Sequence, residues 1–116
     1  MTLKKRRYDR IDSLNLLSYA CIDDEGTVVS QGMGRTLNVS EGGIMLETYE
    51  LIPTSQILLT IGFKDDMTDV TGKVAYTKTG DNNRIHSGIE FVQTDEIAGG
   101  VIKRYIEAFS RHTNEG

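Results

Sequence analysis

Large apolar side chains recur at every second position of the segment 57–63, and this feature constrains the fold of the chain more than any other. The residues in this register are Ile57, Leu59, Ile61 and Phe63. Successive side chains of a β-strand point to opposite faces of the sheet, so residues two apart share a face. The segment is therefore predicted to be a half-buried strand with these four residues on its inner face.

The same alternation recurs along the chain and predicts a mostly β protein. Two further clear segments are 70–76 and 84–91. Their inward residues are predicted to be Val70, Val74 and Tyr76 in the first segment and Ile85, Ile89 and Phe91 in the second. Less regular patterns predict three earlier strands at roughly residues 14–22, 28–39 and 43–48.

Turn-forming residues separate these segments at short intervals. They are Asp24-Glu25-Gly26, Gly42-Gly43, Asp65-Asp66 and Gly80-Asp81-Asn82-Asn83. Strands joined by such short turns pair antiparallel, whereas a parallel sheet would alternate strands with helices. The pattern therefore predicts an antiparallel sandwich or barrel.

One helix is predicted at the C-terminal end of the chain, over residues 94–112. Thr94 or Asp95 would cap its N-terminus, and each of Gly99 and Gly100 weakens its first turn by about 1 kcal/mol. Its apolar residues at helical spacing are Ile97, Val101, Tyr105 and Phe109, widened by Ile102 and Ile106. We expect this stripe to pack on the core, because a membrane-surface helix would carry more Lys and Arg opposite it.

The length and the cysteine content bound the class of protein. A chain of 116 residues suits a single domain, and no apolar run is long enough to span a bilayer. The basic first residues run into Tyr8 and Asp9 without the apolar block of a secretory signal. Cys21 is the one cysteine and has no internal partner, so we expect a reducing, cytoplasmic location.

Charge is distributed unevenly along the chain. Five of the 13 basic residues and one of the 17 acidic residues fall within residues 1–10, which leaves +4 there and −8 on the rest. A protein that wraps a nucleic acid polymer neutralises many phosphates, and a net charge of −4 argues against that function. A local basic arm favours a small anionic ligand.

Two short motifs carry the chemistry expected of such a ligand site. Arg6 and Arg10 form an R-x-x-x-R motif, and Asn38, Ser40 and Gly43 form an N-x-S-x-x-G motif. The planar fork of an arginine binds a phosphate, or the O6/N7 edge of guanine, through two parallel hydrogen bonds. Asn and Ser bond to ligands or to nearby backbone groups, and glycine permits positive φ and close approach of a flat base.

In this order, and ahead of this strand pattern, the two motifs resemble those of the PilZ domain, a bacterial receptor for cyclic di-GMP. The run Val74-Ala75-Tyr76, followed by residues 87–91, is similar to the late strand pair of that family, which ends in G-x-x-F. The resemblance implies an all-β fold with one C-terminal helix, in which six antiparallel strands form a barrel. Residues 1–116 would form one PilZ-like domain, with a mobile basic arm at 1–12, the barrel at 13–93 and the helix at 94–112.

The resemblance also implies a ligand site and a function. Phosphate and guanine would be bound by Arg6 and Arg10 with Arg7 as a further contact, Asn38 and Ser40 would bond guanine or backbone, and Gly43 would make room. Many members of the family have Asp at the position of Asn38. The protein would be a non-catalytic receptor with no cofactor, whose arm becomes ordered on cyclic di-GMP and changes a surface read by an unidentified protein. The process would be motility, adhesion or exopolysaccharide production.

Other classes of function fit the sequence less well. A PilZ-fold adaptor that acts by protein contact without binding nucleotide is the alternative we keep. Catalysis or metal binding is not expected, because His86 and His112 stand apart from any recognisable nucleophile or metal-ligand spacing. A barrel for single-stranded nucleic acid needs exposed aromatic residues along a basic groove, and this chain has no Trp and scattered Tyr.

Overall fold

Strands dominate the described part of the chain, and one long helix follows them. The structure is a computed structural model that describes residues 16–63, 66–92 and 94–115. Its strands are β1 (Leu16–Ile22), β2 (Val28–Val39), β3 (Gly43–Thr48), β4 (Gln56–Phe63), β5 (Asp66–Thr79) and β6 (Ile85–Val92). The helix α1 is Glu96–Glu115, and a single 3-10 turn, Asp81–Asn83, joins β5 to β6.

The strands close into a barrel in the order β1-β2-β3-β6-β5-β4, and β4 pairs with β1 to complete it. Every neighbouring pair is antiparallel. This confirms the predicted fold class, an all-β protein with a six-stranded antiparallel barrel and one C-terminal helix, and it excludes the sandwich. Closure leaves the sheet without a free edge, so the outer wall is a continuous surface of side chains.

The inner face of β4 is the most regular part of the core. Ile57, Leu59 and Ile61 are fully buried, as the alternation predicts. The side chain of Phe63, the fourth predicted residue, lies outside the described ones. The other strands complete the interior with Leu17, Cys21, Ile44, Leu46, Val70 and Ile89.

Helix α1 packs against β4 and β5 and begins at a side-chain cap. The Ala98 N–H donates to Asp95 Oδ1 at 2.8 Å, and the Gly99 N–H donates to the Asp95 carbonyl at 2.8 Å. Asp95 is therefore the cap, of the two candidates predicted. Farther along, the Tyr105 hydroxyl lies 2.9 Å from the hydroxyl of Thr36, and burial raises the pKa of Tyr105. This contact fixes the helix to β2 through the interior.

The buried stripe of α1 differs from the prediction at its first member. Ala98, Val101, Ile102 and Tyr105 are buried, whereas Ile97 is 75% exposed. At roughly 100° per residue, Ile97 lies about a quarter turn from the middle of these buried side chains. A row of residues four apart drifts around the helix in this way, so the spacing alone placed Ile97 on the core wrongly.

Candidate functional site

A row of four residues crosses four neighbouring strands on the outer wall of the barrel. Asn38 of β2 pairs with Met45 of β3, which pairs with Gly88 of β6, which pairs in turn with Tyr76 of β5. Directly paired residues on neighbouring strands share a face of the sheet. The row therefore places an amide, a thioether and a phenol side by side on the outer wall.

A β-bulge in β2 turns Asn38 outward. Thr36 pairs with Leu46 and Asn38 pairs with Met45, so Leu37 is an extra residue without a partner. Thr36 is 2% exposed. Since alternate residues of a regular strand share a face, Asn38 would follow Thr36 into the core without this bulge.

A second bulge, in β5, turns Tyr76 outward and shows that its predicted inward orientation is wrong. Val74 pairs with Ile89 and Tyr76 pairs with Gly88, which leaves Ala75 as the extra residue. Val74 packs against the core, whereas Tyr76 is 49% exposed. The sequence keeps its period of two through this point, but the pairing does not, and an extra residue reverses the face on which the next residues lie.

The ring of Tyr76 lies against the backbone of β6. A Cβ at residue 88 would lie 2.3 Å from Tyr76 Cε1, so the glycine there leaves the space that the ring occupies. The Tyr76 hydroxyl contacts Met45 Sδ at 3.8 Å. The ring is thus supported from beneath and at its tip, while about half of the residue is open to solvent.

The turn between β2 and β3 forms one end of this region. The Ser40 N–H donates to the Gly43 carbonyl at 2.8 Å, and Ser40 Oγ lies 3.5 Å from the same oxygen. The Phe91 N–H donates to the Gly42 carbonyl at 2.9 Å, which ties the turn to β6. Gly43 is paired with Glu90 of β6, so Ser40 and Glu90 lie on either side of Gly43.

Gly43 does not use the positive φ that glycine permits, and its predicted role in making room for a ligand stays a prediction. Gly42 does not adopt positive φ either. A Cβ on Gly43 would come within 2.4 Å of the Ile89 carbonyl oxygen, whereas a Cβ on Gly42 would meet nothing within 4 Å. Gly43 therefore allows close approach of the β3 and β6 backbones beneath the site.

The row and the turn line an open groove of about 300 Å³, which we call the outer groove. Its wall carries the side chains of Asn38, Ser40, Tyr76 and Glu90. Glu90 is the one charged residue in the described lining. The groove thus offers hydrogen-bonding groups, an aromatic ring and a carboxylate, but its described wall holds no cation to neutralise a bound anion.

The three arginines of the predicted site, Arg6, Arg7 and Arg10, lie outside the described residues. The described chain begins at Leu16, whose partner is Arg35 in β2. Because β1 runs antiparallel to β2, the chain enters β1 from the side on which Asn38 lies, about 10 Å farther along β2. Leu16 comes six positions after Arg10, and six steps can span about 20 Å, so the chain is long enough for Arg10 to reach the groove.

An ion-pair cluster borders the groove on the next outward row. His86 Nε2 lies 2.9 Å from Glu47 Oε2, and Arg84 contacts Glu47 Oε1 at 3.4 Å. The Arg84 guanidinium carbon lies 4.1 Å from the centre of the Tyr49 ring. His86 is half-buried on this outer face and bonded across the sheet. The cluster holds β3 against β6 beside the groove.

Two residues of the outer groove, Tyr76 and Glu90, were not among the predicted site residues. Both fall in the late strand pair that resembles the PilZ family, where Tyr76 ends the run from Val74 and Glu90 occupies an unspecified position of the G-x-x-F pattern. For Tyr76, the available signal is the pairing with a glycine, which requires the register of β5 and β6.

In the described part of the chain, no group of three or more His, Cys, Asp or Glu residues is placed to hold a metal ion. No described helix is long and apolar enough to cross a membrane.

Three solved structures share this fold at low sequence identity. The PilZ domain of YcgR from Escherichia coli, solved with c-di-GMP, matches with a TM-score of 0.61 and 10% identity, over 86% of this chain and 86% of that one. The PilZ domain of CeSA from a cellulose-synthesizing bacterium matches with a TM-score of 0.57 and 10% identity, over 82% and 93%. MrkH of K. pneumonia in its apo state matches with a TM-score of 0.58 and 11% identity, over 85% and 48%.

Comparison with curated proteins gives no match. The sequence profile of the PilZ domain, however, matches residues 4–108, which is most of the chain and includes both motifs. The barrel order, the terminal helix and the three solved structures agree with that match. The chain therefore belongs to the PilZ domain family.

Proposed function

We propose that this protein is a non-catalytic, cytoplasmic receptor for cyclic di-GMP, and that the ligand binds in the outer groove. The observation that carries the proposal is the groove itself, in which Asn38 and Ser40 of the turn motif lie along one wall with the exposed ring of Tyr76. The YcgR domain, which shares the fold, is described with c-di-GMP. Cyclic di-GMP has two guanines and two phosphates, so it needs stacking surfaces, hydrogen-bonding groups and positive charge.

The charge of the groove explains why both sequence motifs are needed. Its described wall carries the Glu90 carboxylate and no cation. The described lining therefore gives two phosphates no charge neutralisation, and Lys73, which pairs with Glu90 on the same face, stands outside this lining. We propose that Arg6, Arg10 and Arg7 supply this neutralisation from the N-terminal arm, through charge-assisted hydrogen bonds to phosphate and guanine.

Each groove residue has a distinct role in this proposal. The Asn38 amide and the Ser40 hydroxyl bond to a guanine or hold the turn that receives it. The exposed ring of Tyr76 stacks on a base, since every base presents a flat π-face. Gly43 contributes indirectly, because it brings β3 close to β6 and sets the shape of the groove.

The output of binding would be a change of surface. Ordering a free arm costs about 1–2 kcal/mol per residue in backbone entropy. The clustered positive charges of Arg6, Arg7 and Arg10 repel one another until the two phosphates neutralise them, so the ligand favours the ordered arm. The arm would then lie on the barrel and present a new surface to a downstream protein, in motility, adhesion or exopolysaccharide production.

A second candidate is a PilZ adaptor that binds a protein and no nucleotide. Apolar side chains exposed on the β1–β2 side of the barrel favour it: Leu16 is 43% exposed, Val29 is 51% and Met33 is 55%. These residues do not line the outer groove. The two candidates differ in a single measurable property, which is affinity for cyclic di-GMP.

The test is a calorimetric titration of cyclic di-GMP into the wild type and into the Arg6→Ala/Arg10→Ala variant. We expect the wild type to bind, and the variant to lose about 2–5 kcal/mol of binding free energy, or tens- to thousands-fold in Kd. The matched control is Lys4→Ala/Lys5→Ala, which removes the same charge from the same arm outside the motif. If the lysine variant loses as much affinity as the arginine variant, the arm acts only through its total charge. The absence of binding by the wild type would favour the adaptor.

A further inference from the structure

We infer that Glu90 binds the Watson–Crick edge of a guanine, and that this carboxylate makes the outer groove select guanine over adenine. The inference rests on the proposed function and adds to it the residue that chooses the base. It follows from the position of Glu90, from its charge and from the chemistry of the bases.

Glu90 is one of the residues that line the outer groove, and its partner in β3 is a groove residue as well. On one side it pairs with Gly43, beside the Ser40 hydroxyl, and two residues earlier along β6 is Gly88, which supports the Tyr76 ring. Glu90 is exposed and lines the groove. Its side chain has no hydrogen bond or ion pair with any residue that the structure describes, even though Lys73 is its neighbour in β5 on the same face. The carboxylate is therefore available to a ligand.

The sign of this charge is informative, because the proposed ligand carries two negative phosphates. An ionised carboxylate accepts hydrogen bonds and donates none, so it repels a phosphate. A carboxylate is favourable in such a site only where the ligand presents hydrogen-bond donors to it. The Watson–Crick edge of guanine has two adjacent donors, N1–H and the exocyclic N2 amino group, which match the two oxygens of a carboxylate.

The other edge of the same base is left for arginine. An arginine fork pairs with guanine O6 and N7, on the opposite side from N2. A guanine whose O6/N7 edge is bound by an arginine therefore keeps its Watson–Crick edge available for Glu90. Adenine offers an acceptor at N1, which the carboxylate repels, and a donor at N6, so it could keep at most one of the two bonds and only against that repulsion. Hypoxanthine keeps N1–H and lacks the 2-amino group, so it would keep one of the two bonds.

The experiment titrates cyclic di-GMP, cyclic di-IMP and cyclic di-AMP into the wild type and the Glu90→Gln variant. Glutamine keeps the size of the side chain and removes its charge. We expect Glu90→Gln to weaken cyclic di-GMP binding about ten- to a hundredfold, as for loss of a charged hydrogen bond. The same substitution should weaken the affinity for cyclic di-IMP by a smaller factor. The affinity for cyclic di-AMP should be equal to that of the wild type or higher.

The matched control is Glu41→Gln. Glu41 is exposed in the same turn as Ser40 and does not line the groove. This variant makes the same charge change nearby, and all three affinities should stay within about twofold of the wild type, as expected for a surface change away from the site. Unchanged thermal melting of both variants confirms that each is folded.

Three results would overturn the inference in distinguishable ways. If the wild type binds cyclic di-GMP and Glu90→Gln binds it as tightly or more tightly, Glu90 is only a background charge and the proposed function stands. If the wild type binds no cyclic dinucleotide, the inference fails together with the proposed function. Loss of affinity by Glu90→Gln for all three ligands equally would also contradict guanine selection.

Discussion

Strands β4 and β5 lie side by side in the barrel and show two outcomes of the same alternating pattern. In β4 the pairing with β5 continues without interruption, and every second residue from Ile57 to Ile61 is fully buried. In β5 the pairing with β6 is interrupted after Val74, and Tyr76 turns to the outer wall. Regular pairing builds the core, whereas one extra residue puts an aromatic ring into the candidate site.

The comparison predicts that stability and binding depend on different residues. Changes on the inner face of β4 should lower the free energy of unfolding and leave the affinity of the folded protein unchanged. Changes in the bulged row should do the reverse. Of the three substitutions that follow, each with a matched control, Leu59→Ala and Tyr76→Ala test this separation, and Gly43→Ala tests the packing of the β2–β3 turn.

Leu59→Ala should lower the free energy of unfolding by about 2–5 kcal/mol, because it removes a fully buried side chain and leaves a cavity. The matched control is Leu58→Ala, one residue away on the outer face of β4 and only half-buried. We expect Leu58→Ala to lower the free energy of unfolding by clearly less than Leu59→Ala does. Urea unfolding of both variants measures the difference, and equal losses would contradict the assigned inner face.

Gly43→Ala should lower the free energy of unfolding by about 1–3 kcal/mol, since its Cβ would press on the Ile89 carbonyl oxygen, which is backbone and cannot rotate away. Gly42→Ala is the matched control, because a Cβ there meets nothing and the residue does not have positive φ. It should be neutral or stabilising by up to about 1 kcal/mol. Thermal or chemical unfolding distinguishes the two, and a larger loss for Gly42→Ala would refute the packing described for this turn.

Tyr76→Ala should lower the free energy of unfolding by about 0.2–1 kcal/mol, as for the loss of a cross-strand side-chain contact, since about half of the residue is exposed. The variant should lose about 1–3 kcal/mol of binding free energy for cyclic di-GMP, because the base-stacking surface is removed. Tyr76→Phe keeps the ring and should bind nearly as well as the wild type. Calorimetry measures both, and wild-type affinity in Tyr76→Ala would remove the ring from the site.

The sequence predicted the barrel and part of the groove for identifiable reasons. The limits of β2 and β3 were predicted as observed, because their turns contain glycine and polar residues. Asn38, Ser40 and Gly43 were predicted as a group, and they do line one groove, although ligand binding by them stays a prediction. Tyr76 was misplaced because a bulge adds a residue without a compositional signal. Glu90 was not singled out because its position depends on pairing with Gly43 across the sheet.

The central claim is that the bulged wall of β2, β3, β6 and β5 receives cyclic di-GMP. Backbone amide chemical shifts recorded during a cyclic di-GMP titration test it most directly. The account predicts that the largest shifts among the described residues fall at Asn38, Ser40, Tyr76, Gly88 and Glu90. Ser18 of β1 and Leu58 and Thr60 of β4, on the opposite wall, should stay unchanged. Shifts concentrated on that opposite wall, or none at high ligand concentration, would contradict the claim.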